Sequence, residues 1–146
     1  MSIEFPLPQK TTAFGPVSDP KIPVAVKTSK GFRTFRFLID TGADFSLAPR
    51  RLAQQVGLNW DVLTPAQVIG VEQGGVRARL GLLPIRLGDV ELSVRCLFVD
   101  TAKALFLLGR ADFLDRFVLT VDQGNGKIVL VEVSPVVGSK SEPRTS

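Results

Sequence analysis

Short runs in which apolar and polar residues alternate fill the middle of this 146-residue sequence. In residues 32–39, Phe35, Phe37 and Ile39 are separated by single residues, which is the period of a strand that buries one face. Similar runs recur along the chain, several of them separated by glycine-containing turns. They are residues 22–27, 67–71, 76–80, 83–87, 90–99, 104–108, 118–122 and 127–133. The pattern predicts a mostly β fold built from hairpins.

Two short helices are predicted between the strands. Residues 49–56 form the first, because Pro49 suits a first helical position and Gly57 suits a stop just beyond the end. Residues 110–117 form the second, which is amphipathic. Its inward-facing residues are predicted to be Phe113, Leu114 and Phe117. Because the helices do not alternate regularly with the strands, the pattern argues against a parallel α/β sheet.

The chain divides into three predicted parts. Residues 1–21 form a proline-rich N-terminal arm, since proline discourages both helices and central strands. Residues 22–134 carry the strand pattern and form one domain, and residues 135–146 form a polar C-terminal tail. A chain of this length buries a substantial core without needing disulfides or metals.

Histidine is absent, and cysteine occurs once, at Cys96. Without histidine, Ser-His-Asp and Cys-His catalysis are excluded, and the common zinc sites lose their ligands. A single cysteine forms no intrachain disulfide, so the fold does not depend on an oxidising compartment. Its place in an alternating run predicts a buried, inert thiol. We therefore expect neither a metal nor a cofactor.

The formal net charge is +4, but the basic residues are scattered rather than clustered with aromatic residues. We therefore expect no nucleic-acid partner, and the alternative of a basic nucleic-acid-binding β-barrel predicts salt-sensitive binding to oligonucleotides. The first residues lack the basic start and apolar run of a signal peptide, and no stretch has the length of a membrane span. The expectation is a cytoplasmic protein with no membrane partner.

One strand pattern ends at an aspartate. Asp40 follows the apolar run Phe37-Leu38-Ile39 and opens the segment Asp40-Thr41-Gly42-Ala43-Asp44. A carboxylate at the end of an apolar strand needs hydrogen bonds to offset its desolvation. A threonine hydroxyl and the close backbone approach that glycine permits are suited to supply them. Further along, after a glycine-bearing hairpin, comes the segment Leu107-Leu108-Gly109-Arg110.

These features, in this order over residues 22–133, resemble the retropepsin-like (retroviral-type, single-domain) aspartic proteases. The resemblance implies a closed β-barrel or β-sandwich half with a flap hairpin and one or two short helices. It implies that Asp40 is the catalytic carboxylate and that Asp44 pairs with Arg110. The residues that it assigns to support of the active-site loop are Thr41, Gly42, Ala43, Asp44, Leu108, Gly109 and Arg110. The residues that it assigns to the substrate-binding flap are Ile69, Gly70, Val71, Gly74 and Gly75.

The sequence departs from its relatives at three points, one of which is that its N-terminal arm and hairpins are longer than the smallest viral forms need. Asp100-Thr101-Ala102 looks like a second catalytic motif, but it lacks the glycine and is interpreted as a turn. The flap carries no tyrosine, unlike that of the pepsins.

Peptide hydrolysis of this type uses two carboxylates that share one proton. The chain supplies one of them, so the resemblance implies a homodimer with Asp40 and its copy across a twofold axis. It also implies an extended peptide or protein substrate and activity favoured at mildly acidic pH. The predicted function is therefore that of an aspartic endopeptidase.

Two further hypotheses use the same fold. One is a non-catalytic peptide-binding or dimerisation module, since a fold does not fix a function. The other is a zymogen in which the proline-rich arm occupies the cleft until it is removed. Unchanged activity after deletion of residues 1–20 would contradict the zymogen hypothesis.

Overall fold

The computed structural model describes residues 2–68, 76–101 and 103–133. Within these ranges it contains twelve strands, one α-helix and two 3₁₀ helices, so the predicted mostly β fold is confirmed. The strands are β1 (Ser2–Pro6), β2 (Gln9–Thr12), β3 (Gly15–Ser18), β4 (Lys21–Thr28), β5 (Gly31–Ile39), β6 (Ser46–Pro49), β7 (Thr64–Val68), β8 (Val76–Leu87), β9 (Val90–Val99), β10 (Leu107–Leu108), β11 (Phe117–Asp122) and β12 (Lys127–Glu132). The helical segments are α1 (Arg50–Val56) and the 3₁₀ helices Trp60–Val62 and Leu114–Arg116.

Six strands close into a barrel in the order β4-β5-β10-β6-β9-β8, and pairing of β8 with β4 completes the ring. Neighbours along the chain pair antiparallel, as in β4–β5 and β8–β9. The two parallel pairings are β10 with β5 and β6 with β9. Strand β7 pairs with the first part of β8 outside the ring. The closed β-barrel expected from the sequence is therefore present.

The barrel core is filled by alternate residues of its strands. On β9, every second residue from Val90 to Phe98 is buried, which is the periodicity of a strand with one face inward. Cys96 belongs to this buried set, as predicted, and burial raises the pKa of its thiol. Helix α1 packs Leu52 and Ala53 against the barrel. The core therefore follows directly from the alternation in the sequence.

Helix α1 has the predicted end signals. Pro49, predicted as the first helical residue, is instead the extended N-cap, one position before the helix begins at Arg50, and is also the last residue of β6. Gly57 ends the helix with a φ of 92°, and its N–H donates to the carbonyls of Ala53 and Gln54. A left-handed residue just after a helix is favourable for glycine because it has no Cβ. The helix predicted at residues 49–56 is confirmed from Arg50 onward.

Strand β8 is longer than the sequence predicted. Residues 76–80 and 83–87 were expected to belong to two separate hairpins, but they form one strand that runs through Gly81. A Cβ at Gly81 would lie 3.2–3.3 Å from the side chains of Leu58, Leu63 and Phe98. Gly81 therefore marks a closely packed position inside a strand and not a turn.

Two predicted elements are shorter than expected. Of residues 104–108, only Leu107 and Leu108 form a strand, and Leu105 is 60% exposed instead of buried. Residues 104–106 border a surface cavity, so an apolar run does not mean that this segment is buried.

The predicted helix at residues 110–117 is replaced by a turn and a 3₁₀ helix. Asp112 has a φ of 66°, which interrupts a right-handed helix. Phe113 and Phe117 are nevertheless buried, as predicted, and Leu114 is half-buried.

The N-terminal residues form strands of their own. Strand β1 pairs with β12, which pairs with β11, in a three-stranded sheet. Strands β2 and β3 form a separate two-stranded hairpin whose tip carries the fully exposed Phe14. Leu7, between β1 and β2, belongs to the core. The predicted boundary of the arm at residue 21 stays a prediction.

Trp60 lies between two arginines near the start of β7. The guanidinium carbon of Arg50 is 4.3 Å from the ring centre of Trp60, and that of Arg79 is 5.6 Å away. Arg79 also donates to the backbone carbonyls of Trp60 and Leu63 at 3.2 and 3.3 Å. These cation–π contacts and hydrogen bonds connect α1, the first 3₁₀ helix and β8.

Within the described ranges, no helix combines the length and the apolar character that crossing a bilayer requires.

Candidate active site

The two sequence motifs meet at the ends of neighbouring parallel strands. Leu107 and Leu108 of β10 pair with Leu38 and Ile39 of β5. Directly after β5, the N–H of Asp40 donates to the carbonyl of Leu108 at 2.9 Å. Residues that are far apart in the sequence thus form one site, because parallel pairing brings the carboxyl ends of both strands to the same edge.

The Asp40 carboxylate is held by its own loop. The N–H of Gly42 donates to Oδ1 of Asp40 at 2.9 Å, and the N–H of Ala43 donates to the carbonyl of Asp40 at 3.2 Å. A Cβ at Gly42 would lie 3.3 Å from Oδ1, so a larger residue would crowd this hydrogen bond. Within the described residues, Oδ2 accepts no hydrogen bond. One oxygen is therefore fixed while the other is available to a ligand.

Gly109 sits against the backbone of the Asp40 loop. A Cβ at this position would lie 2.5 Å from the carbonyl oxygen of Phe45 and 2.9 Å from that of Ala43. The N–H of Gly109 donates to the buried hydroxyl of Ser46 at 3.1 Å, and the N–H of Arg110 donates to the carbonyl of Ala43 at 2.9 Å. Only a residue without a side chain allows the two loops to approach this closely.

Arg110 connects three parts of the site. Its guanidinium forms an ion pair with the Asp44 carboxylate and also donates to the carbonyl of Thr41 at 2.7 Å. The side chains are exposed, by 43% for Arg110 and 76% for Asp44, so solvent screens their attraction. The contact therefore orients the loop more than it stabilises the fold.

A double-mutant cycle on Asp44→Ala and Arg110→Ala is expected to give a coupling free energy of about 0.2–1 kcal/mol, the range of exposed pairs. Arg110→Ala should destabilise more than Asp44→Ala, because it also removes the hydrogen bond to the Thr41 carbonyl. Urea unfolding of the four proteins measures both effects. Equal single-mutant effects with no coupling would show that this contact contributes nothing to stability.

The remaining predicted site residues are placed as follows. Thr41 is exposed and Ala43 half-buried, and the Thr41 hydroxyl makes no hydrogen bond within the described part of the chain. The five predicted flap residues all lie outside the described part of the chain: Ile69, Gly70, Val71, Gly74 and Gly75. The structure describes the strands on either side, which pair as far as Val68 and Val76.

The segment at Asp100 that resembles a second catalytic motif does not contact the Asp40 loop among the described residues. The Asp100 carboxylate pairs with Arg50 at 3.2 Å, and its N–H donates to the carbonyl of Arg77 at 3.0 Å. Thr101 follows in a bend, while Ala102 lies outside the described residues.

Two supporting contacts were not predicted from the sequence. Ser46 is fully buried and accepts the Gly109 hydrogen bond, and it is the single polar residue in the apolar segment 45–49. Asp112 accepts hydrogen bonds from the backbone N–H of Arg95 at 2.9 Å and from its Nε at 2.8 Å. The Arg95 side chain lowers the pKa of Asp112 through this hydrogen bond. Both contacts hold the segment that follows Gly109.

Residues 24–116 match a family model described as gag-polyprotein putative aspartyl protease, and this range includes both motifs of the site. The chain belongs to this aspartyl protease family. The match covers Asp40 and Arg110, on either side of the β7–β8 hairpin. The retropepsin-like aspartic protease family that the sequence resembles is thereby confirmed.

Solved structures show that the aspartyl protease domain is retropepsin-like in fold. A retropepsin-like aspartic protease from Rickettsia conorii is 18% identical, with a TM-score of 0.60 over 89% of this chain and 91% of that chain. The retroviral protease-like domain of Ddi1 from Leishmania major is 16% identical, with a TM-score of 0.54 over 81% of this chain and 96% of that chain. No curated protein matches the sequence.

Proposed function

We propose that this chain is an aspartic endopeptidase that acts as a homodimer, with one Asp40 from each copy. The observation that carries the proposal is the tethering of Asp40, whose Oδ1 accepts the Gly42 N–H while Oδ2 has no partner among the described residues. A carboxylate fixed in this way at a strand end is suited to holding a water molecule. The family match over both motifs supports the same reaction class.

The second carboxylate comes from a second copy of the chain. The Asp44 carboxylate of the same loop is engaged by Arg110, and the Asp112 carboxylate, which follows Gly109 by three residues, is engaged by Arg95. A twofold axis that passes beside Asp40 brings two identical carboxylates together. The exposed Thr41 hydroxyl next to Asp40 supports this arrangement, because it is free to bond across such an axis.

The reaction follows from the paired carboxylates. Two carboxylates held close together share one proton, since both cannot readily ionise. The ionised Asp40 accepts a proton from a water molecule while the water oxygen attacks the carbonyl carbon of the peptide bond. The protonated Asp40 of the other copy donates its proton to the carbonyl oxygen. Proton transfer to the amide nitrogen then lets the C–N bond break. The β7–β8 hairpin is the element that the family resemblance assigns to cover an extended peptide, and its two strands pair antiparallel.

The dependence of activity on protein concentration tests this proposal. A mixed peptide library at pH 4 to 7 provides the substrate, and analytical ultracentrifugation measures the dimer fraction in the same buffers. We expect cleavage per chain to fall in proportion to the dimer fraction on dilution. Full cleavage per chain from a monomer would contradict the homodimer. No cleavage by an established dimer would favour the peptide-binding or dimerisation module. Localisation in the cytoplasm stays a prediction.

A further inference from the structure

A surface cavity with a volume of about 230 Å³ is lined in part by Leu38, two residues before Asp40. One of its walls is apolar and includes Leu38 and Leu105. Phe106 also borders the cavity, but its ring packs on the barrel side of β5, against the rings of Phe35 and Phe37, whose centres are 5.6 and 5.3 Å away. Leu105 is 60% exposed, so this wall offers apolar surface to a ligand.

The cavity lies on the same face of β5 as the Asp40 carboxylate. Phe37 and Ile39 are buried in the barrel, whereas Leu38 between them is half-buried and faces the cavity. Asp40 directly follows β5, and its N–H continues the pairing with β10 by donating to the Leu108 carbonyl. By the alternation of a strand, Asp40 then faces the same way as Leu38, with Cα atoms about 6.6 Å apart. An extended peptide bound at Asp40 would therefore reach this cavity.

The other walls of the cavity are charged and mainly basic. Three cations, Lys10, Lys21 and Arg36, line it together with one carboxylate, Asp19, which leaves an excess of two positive charges. Lys21 is 3.7 Å from the Asp19 carboxylate, and Arg36 donates to the Lys21 carbonyl at 3.3 Å. Lys10 forms no ion pair with the described residues. The cavity therefore combines an apolar wall with cations that are not neutralised.

We propose that this cavity selects substrates that carry an acidic residue two positions from an apolar residue at the cleaved bond. This inference rests on the proposed function. In an extended peptide, side chains two positions apart point to the same side, so both reach one cavity. The apolar side chain contacts Leu38 and Leu105, and the carboxylate lies near Lys10 and Arg36. Twofold symmetry repeats the cavity on the other side of the cleaved bond.

The test uses three peptides that differ only at the acidic position, which holds Glu, Gln or Lys. At pH 6 the peptide carboxylate is ionised, and we expect kcat/KM to decrease in the order Glu, Gln, Lys. The Glu peptide should exceed the Gln peptide roughly threefold to tenfold, since exposed charge pairs each contribute weakly. The difference should shrink in about 1 M salt, where the Debye length falls to about 3 Å.

Variants assign this preference to the cavity. Lys10→Gln and Arg36→Gln should each lower the ratio of kcat/KM for the Glu peptide to that for the Gln peptide, and Lys10→Glu should lower it further. Lys27→Gln is the matched control, because Lys27 is exposed at the opposite end of β4 from Lys21. The control should leave the ratio unchanged. An equal decrease in the control would attribute the preference to net charge and would overturn the proposal.

The outcomes separate this proposal from the proposed function. Equal cleavage of the three peptides would overturn the acidic preference and leave the endopeptidase proposal intact. If no peptide is cleaved, the endopeptidase proposal fails. Peptide binding then decides whether the cavity prefers an acidic residue. Fluorescence anisotropy with the labelled Glu and Gln peptides then measures affinity directly. Tighter binding of the Glu peptide that is lost in Lys10→Gln supports the cavity as an acidic-peptide site, and equal affinities overturn it.

Discussion

Replacing Asp40 with asparagine is expected to reduce peptide cleavage by roughly a thousandfold or more, because the amide neither accepts nor donates the catalytic proton. The amide has nearly the same shape and keeps an oxygen for the Gly42 N–H, so the fold should be preserved. Initial rates on a peptide from the library measure the loss, and circular dichroism with urea unfolding checks the fold. Equal cleavage by the variant and the wild type would place the active site elsewhere.

Asp100→Asn is the matched control for this substitution. It makes the same chemical change in the other Asp-Thr pair of the chain, whose carboxylate engages Arg50 instead of the active-site loop. The control should retain cleavage and lose no more than about 1 kcal/mol of unfolding free energy, since the pair is partly exposed.

Mixing Asp40→Asn with the wild type separates a shared site from two independent sites. After equal amounts exchange subunits, about one quarter of the dimers carry two Asp40 side chains. If both carboxylates are needed, added variant lowers cleavage below that of the same amount of wild type alone. If cleavage is unaffected while mixed dimers are shown to form, one Asp40 is sufficient and the proposed mechanism is wrong.

Gly109→Ala is expected to lower the free energy of unfolding by about 3 kcal/mol and to abolish cleavage, because overpacking against backbone is relieved only by moving a loop. The added Cβ would lie 2.5 Å from the Phe45 carbonyl oxygen. Separating the loops would also strain the hydrogen bond between Gly109 and Ser46. Urea unfolding measures the stability of the variant, and the peptide assay measures its cleavage.

Gly124→Ala provides the control for a glycine substitution as such. Gly124 lies in the turn between β11 and β12, where the nearest atom to an added Cβ is 3.7 Å away. We expect a change within about 0.5 kcal/mol and normal cleavage. If Gly109→Ala is as stable and active as this control, the close approach of the two loops is not required.

The parts of the fold that the sequence predicted are those governed by local pattern. The alternation in residues 90–99 gave β9 at its observed bounds. Pro49 and Gly57 marked α1 to within one residue, because their backbone preferences act on their own positions. Only the family resemblance predicted that the Asp40 and Gly109 segments meet, since no local pattern specifies which strands pair in parallel.

The parts that were missed depend on contacts distant in the sequence. Gly81 lies inside β8 and packs closely against three large side chains, which a glycine between two alternating runs does not reveal. Asp112 takes its left-handed conformation where Arg95, on β9, binds its carboxylate, so the predicted helix at residues 110–117 does not form. Strand β1 was not predicted because its partner, β12, lies at the other end of the chain.

The position of Trp60 makes the protein suitable for spectroscopy without a label. The sequence contains one tryptophan and no tyrosine, so emission excited at long ultraviolet wavelengths arises from a single site. That indole is half-buried and lies between Arg50 and the Arg79 side chain of β8. Displacement of either cation changes the electrostatic field at the ring and therefore its emission wavelength. Stopped-flow fluorescence would thus follow movement at the base of the β7–β8 hairpin as a peptide binds.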